Sequence, residues 1–166
     1  MSHDSSRIRI ERQSRTLGTR AKRPKPTTVC EVPLANPLLK YLGVQLNSWK
    51  HGEAEFHLMI TKHHLNRQGN LQGGVLATLL DVACGYSGLD PSHSVAIENS
   101  ASVTLNVSFV NKVSTGRLIA RGNLTRTGKR LYFATGEVTC EDGQLIATAQ
   151  GAFRIFRSQI ISHGAD

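Results

Sequence analysis

The chain has 166 residues, an ordinary apolar content and a formal net charge of +8, enough to bury one core and too little for two. No run of eighteen apolar residues occurs, which excludes a membrane-spanning helix, and the wide spacing of Cys30, Cys84 and Cys140 fits neither a disulfide framework nor a zinc site. The charge is concentrated at one end: residues 1–25 carry eight basic side chains against Asp4 and Glu11, so the rest of the chain is nearly neutral.

Residues 1–30 therefore read as a disordered basic tail. It has no aromatic residue to stack on bases and no helix-turn-helix pattern, so nucleic acid is not its expected partner. It also lacks the apolar stretch of a secretory signal, which points to a cytoplasmic protein. A single folded domain is expected over residues 31–157, with 158–166 as a frayed end. Inside the domain, Asn36 as N-cap, Pro37 at the first helical position and Gly43 as the stop predict a short helix. Val44 to Lys50 reads as extended, and His51-Gly52 turns the chain. Glu53 to Thr61 alternates Ala54, Phe56, Leu58 and Ile60 with polar neighbours, completing a hairpin.

A polar loop, Lys62 to Leu71, leads into the segment around which the chain is organised. From Val75 to Cys84 only Thr78 and Asp81 are polar, which predicts a helix buried on every side that carries one carboxylate. Gly74, Thr78, Asp81 and Gly85 fall at helical spacings on one small, polar face. A carboxylate taken out of water must be paired, protonated or put to use. Gly73-Gly74 stands where the helix begins, and backbone N–H groups at such a start are open to an anion or a polarised carbonyl. The helix is expected to end near Gly88, before Asp90-Pro91. Beyond it everything is strand: 101–110, in which Val103, Leu105, Val107 and Phe109 alternate with Ser102, Thr104, Asn106 and Ser108, then 117–127, 131–140 and 144–156, joined by turns at 111–116, 127–129 and 141–143. One long helix followed by an antiparallel meander predicts an α+β fold with the sheet curled around the helix. Such a sheet leaves edges uncovered, so dimerisation is expected.

Taken together, Asn66-x-x-Gly69-x-Leu71-x-Gly73-Gly74, Asp81 seven residues later, the strand Ser102 to Phe109, the Gly128-Lys129-Arg130 turn and Asp142-Gly143 before Leu145-Ile146-Ala147 resemble the hotdog-fold acyl-CoA thioesterases, in particular the phenylacetate-pathway (PaaI-like) type. The resemblance covers roughly residues 36–156. It implies the hotdog fold, a homodimer or dimer of dimers, hydrolysis of an apolar or aromatic acyl-CoA, and no cofactor. It also implies roles: the Gly73 N–H polarises the thioester carbonyl, and Asp81 acts as nucleophile or general base across the subunit boundary. Asn66 helps place substrate or water, Ser102 matches a hydroxyl position on the strand after the helix, Gly74 shares the helix start, and Lys129 and Arg130 lie near the phosphates of coenzyme A. Gln72 stands where the family mostly has His and, unlike His, cannot change protonation near neutral pH. Asn111-Lys112 stands where relatives often have Arg-Pro.

Each residue has a plainer reading beside this one. Without the resemblance Asp81 reads first as a buried acid satisfied by Thr78 or a backbone N–H across the dimer, Asn66 as a turn former, Ser102 as a β-strand residue and Lys129-Arg130 as an ordinary charged hairpin tip. His63-His64 are adjacent with no further ligand spacing, so no metal is expected. A non-catalytic acyl-CoA-binding or sensing protein is the alternative function, and a dehydratase on the same fold is a weaker third, because no His lies in the helix segment.

Overall fold

A computed structural model describes residues 36–92 and 98–157; the expected basic tail, the frayed C-terminal end and Cys30 lie outside them. In chain order the elements are α1 (Pro37–Leu42), β1 (Gln45–Lys50), β2 (Glu53–Met59), a single 3-10 turn (Lys62–His64), α2 (Gly73–Ser87), β3 (Glu98–Phe109), β4 (Arg117–Thr127), β5 (Leu131–Cys140) and β6 (Leu145–Arg157). The strands form one antiparallel sheet in the order β1-β2-β4-β5-β6-β3. It wraps α2, giving the hotdog arrangement.

Local chemistry accounts for the ends of α1. The Asn36 side-chain oxygen accepts from the N–H groups of Leu38 and Leu39 at 3.0 and 3.3 Å, and Pro37 occupies a position where a missing N–H costs nothing. Gly43 closes the helix at φ 71°, a left-handed conformation that glycine adopts without a Cβ clash. Alternation then sets the sheet's inner face: Ala54, Phe56 and Leu58 on β2, Leu118 and Ala120 on β4, Tyr132, Ala134 and Val138 on β5, and Ala147, Ala149 and Phe153 on β6 are buried. Against them lie Val75, Leu76, Leu79, Leu80, Ala83 and Cys84 of α2. Each fully buried leucine of this layer contributes on the order of 1.5–3 kcal/mol. The helix lies so close to β4 that a Cβ on Gly122 would stand 2.0 Å from the Ala83 carbonyl oxygen. Only glycine fits there.

Two expectations are corrected. First, α2 is not buried all round within one chain: Gly73, Ala77, Thr78, Asp81 and Val82 are half-buried and Gly74 is exposed, so its polar face opens to the outside. Second, β3 does not alternate regularly. Its pairing with β6 runs Ser102 opposite Phe153 and then Thr104 opposite Ala152, which leaves Val103 as an extra, 56% exposed residue. This β-bulge flips the pattern, so Ser102 shares the helix-facing side with Leu105 and Val107 instead of the outward side.

The C-terminal end of α2 is fully satisfied. The carbonyl of Cys84 accepts from Ser87 Oγ (2.8 Å), that of Gly85 from the Tyr132 hydroxyl, that of Tyr86 from Trp49 Nε1 (2.9 Å), and that of Ser87 from the Gly52 N–H (3.0 Å). Three of these donors come from strands or turns distant in sequence. Together they pin this end against the β1–β2 hairpin and β5.

Candidate active site

The opposite end of α2 is built differently. The N-cap, Gln72, is exposed and makes no side-chain capping bond. Its own N–H is held by the carbonyl of His64 (2.8 Å), and its carbonyl accepts from the Val75 N–H (2.9 Å). The N–H groups of Gly73 and Gly74, in the first turn, have no backbone acceptor among the described residues. Such unspent donors carry the positive end of the helix dipole. Beside them, the ring of Phe109 lies 3.4 Å from where a Cβ on Gly73 would be.

Asp81 lies two turns further along α2 and is half-buried. Its Oδ1 accepts a 2.5 Å hydrogen bond from Ser102 Oγ, and its other oxygen has no partner among the described residues. The β3 bulge makes this contact, since strict alternation would turn Ser102 away from the helix. Thr78, the other polar residue of the face, bonds back to the Gly74 carbonyl at 2.9 Å instead of pairing with Asp81. Cys84, one turn from Asp81, is no rival nucleophile: burial, reinforced by the Asp81 charge, pushes its thiol up to about 12.

The other candidates lie apart from Asp81 within one chain. Asn66 shapes the loop before the helix: its side-chain oxygen accepts from the N–H groups of Gln68 (2.9 Å) and Asn70 (3.2 Å), while its amide nitrogen has no partner among the described residues. Lys129 and Arg130 are exposed in the β4–β5 turn, at the end of the sheet where Tyr132 meets the helix C-terminus, far from Gly73. Neither makes an ion pair with a described residue. Gly73 and Asp81, eight residues apart on one helix, are separated by about 12 Å along its axis. Sequence reasoning missed His64, whose buried ring accepts the Thr61 N–H at Nδ1 (3.0 Å) and whose carbonyl anchors Gln72. The signal was present as Thr61 three residues before His64, a capping-box spacing. Among the described residues no group of three His, Cys, Asp or Glu side chains is placed to hold a metal ion.

With this geometry in view, similarity to known proteins becomes informative. The sequence profile of the Thioesterase superfamily matches residues 68–147, the span from the loop before α2 into β6. A protein of Halobacterium salinarum named as an esterase is 30% identical over 130 residues, covering 72% of this chain and 85% of its own. Among solved structures, a thioesterase family protein from Silicibacter pomeroyi superposes with a TM-score of 0.66 at 25% identity, over 74% of this chain and 91% of that one. The E. coli PaaI protein of the phenylacetic acid degradation operon superposes with a TM-score of 0.65 at 20% identity, over 74% and 86% of the two chains, which speaks for the fold alone. Profile, relative and fold agree: the chain belongs to the thioesterase superfamily and has its hotdog fold.

Proposed function

We propose that the protein hydrolyses an acyl-CoA thioester with an apolar or aromatic acyl group, of the PaaI-like type, at a site shared by two copies of the chain. The thioester carbonyl oxygen sits at the free N–H groups of Gly73 and Gly74, where charge developing on it is stabilised, an effect worth about 10²–10³ in rate per donor. Asp81 of the second copy takes a proton from the attacking water, or attacks the carbonyl carbon itself and is released by water. In either route the C–S bond breaks, the acid leaves with one oxygen from water, and coenzyme A departs as thiol. Ser102 holds one carboxylate oxygen and leaves the other facing the substrate. Gln72 and Asn66 flank the carbonyl, while Lys129 and Arg130 meet the phosphates of coenzyme A.

The observation that carries this reading is the pairing of an uncapped, two-glycine helix start with a half-buried aspartate on the same open helix face. A two-chain site is supported by the roughly 12 Å between them, too far for one carbonyl to touch both. It is supported also by β3, an outermost strand of 12 residues with no partner on its outer side among the described residues. In this reading β3 pairs antiparallel with its copy, and the helix start of one chain faces Asp81 of the other.

The test is Asp81→Asn, assayed for coenzyme A release with a panel of acyl-CoA esters. Turnover is expected to fall by about 10²–10⁴, with the folded oligomer intact. Wild-type turnover in that variant contradicts the reading. Tight acyl-CoA binding without release by the unaltered protein favours a binding or sensing role instead, the reading that Gln72 in place of His motivates.

A further inference from the structure

We infer that the groove between α1 and the segment leaving β2 seats the distal end of the acyl group, and that the group it takes carries a neutral hydrogen-bond acceptor, a hydroxyl, keto or ether oxygen, directed at His64. The inference rests on the thioesterase reading and deepens it. The groove has a volume of about 480 Å³, within the range of small-molecule sites. Its walls are Tyr41, Leu42, Gly43, Met59, Thr61 and the exposed His63, and its inner end is the buried His64. No Lys, Arg, Asp or Glu lines it, so a terminal ammonium finds no counterion there, and a terminal carboxylate finds none of the permanently charged side chains.

His64 supplies the specificity. Its side chain is only 5% exposed, and Nδ1 accepts the Thr61 N–H, which places the ring proton of the neutral imidazole on Nε2. Nε2 has no partner among the described residues, and no fully enclosed polar side-chain atom among them is left unpaired, so this nitrogen is not sealed off, and the residue that carries it lines the groove. Tyr41, Thr61 and His63 carry the other polar groups of the lining, but all three are exposed, so the His64 ring is the one buried donor at the groove's inner end. The same residue's carbonyl holds the N–H of Gln72, next to the free N–H of Gly73. The groove and the proposed carbonyl site are therefore joined through one residue.

The experiment compares acetyl-, octanoyl- and 7-oxooctanoyl-CoA on the wild-type protein, on His64→Asn, which keeps an acceptor for the Thr61 N–H, and on Met59→Trp, which fills the groove. The wild type is expected to prefer the keto ester over its parent by about tenfold in kcat/KM. In His64→Asn that preference disappears through KM, and in Met59→Trp the KM for both eight-carbon esters rises. Acetyl-CoA, too short to reach the groove, reports any damage common to all substrates. In parallel, NMR follows Leu42, Thr61 and His64 on adding the ketone analogue of 7-oxooctanoyl-CoA, in which a methylene between sulfur and carbonyl prevents hydrolysis. Shifts at all three, kept in Asp81→Asn and lost in Met59→Trp, support the groove even if no thioester is turned over. Unmoved signals, or a keto preference that survives in His64→Asn, overturn it without touching the case for Asp81.

Discussion

At its C-terminal end α2 gives four successive carbonyls, Cys84 to Ser87, to donors from Ser87, Tyr132, Trp49 and Gly52. At its N-terminal end Gln72 caps nothing with its side chain, and two glycine N–H groups in the first turn are left without a backbone acceptor. A helix that needed only stability would cap both ends, since a good N-cap contributes about 0.5–2 kcal/mol. The contrast teaches that one end anchors the helix in the sheet while the other is kept open for an electron-rich ligand group.

The largest effect on this contrast comes from removing one open donor. Gly73→Pro deletes a single N–H at the first helical position, where proline is well tolerated, and Gln72 at φ −67° and ψ 131° already has the extended conformation a following proline requires. Turnover should drop by about 10²–10³, with a melting temperature equal to or above that of the wild type. Kinetics beside calorimetry on one preparation checks both halves.

Next in size is Gly122→Ala. The added methyl must displace the Ala83 carbonyl, so stability should fall by about 1–3 kcal/mol or more, read from urea unfolding. Ser102→Ala removes the hydroxyl that holds Asp81. It should lower kcat by about tenfold, a change of about 1.4 kcal/mol in the barrier, while leaving the unfolding midpoint close to that of the wild type. Trp49→Phe takes one donor from the closed end. It should cost about 0.5–1.5 kcal/mol of stability with kcat/KM retained, the mirror image of Gly73→Pro.

The smallest effect concerns pH. On the hairpin that closes the helix, burial alone would raise the Glu55 carboxyl, but its hydrogen bond with His57 (2.8 Å) and the Arg121 guanidinium (2.7 Å) outweigh burial and hold it below its ordinary value of 4.5. A depressed carboxyl adds stability that is present above the unfolded-state value and is lost as pH falls through the folded one. Acid should therefore loosen the closed end, by a modest amount because the cluster is partly exposed. Glu55→Gln should flatten the dependence of melting temperature on pH below about 4.5.

How much of this the sequence revealed follows from how local each cause is. The caps of α1, the limits of α2 and the glycine pair were legible because Asn36, Pro37, Gly43, Gly73 and Gly88 act on their immediate neighbours. The open polar face of α2 was read as buried because composition does not say which side the sheet leaves uncovered. The bulge at Val103 was hidden because the residues of β3 keep alternating while their pairing partners slip by one. Ser102 was therefore named only through resemblance, and its bond to Asp81 came from the fold. The donors of the closed end were out of reach for the same reason, with Trp49 standing 37 positions from Tyr86.

The account depends on one chain's open helix start working with the other chain's Asp81, and subunit mixing tests that most directly. Gly73→Pro and Asp81→Asn chains, each nearly inactive alone, are unfolded together, refolded at equal concentration and assayed. In a mixed pair one site carries both lesions and the other neither, so random pairing should restore about a quarter of wild-type activity. Activity no greater than the average of the two parents, from a preparation shown to contain mixed pairs, contradicts it.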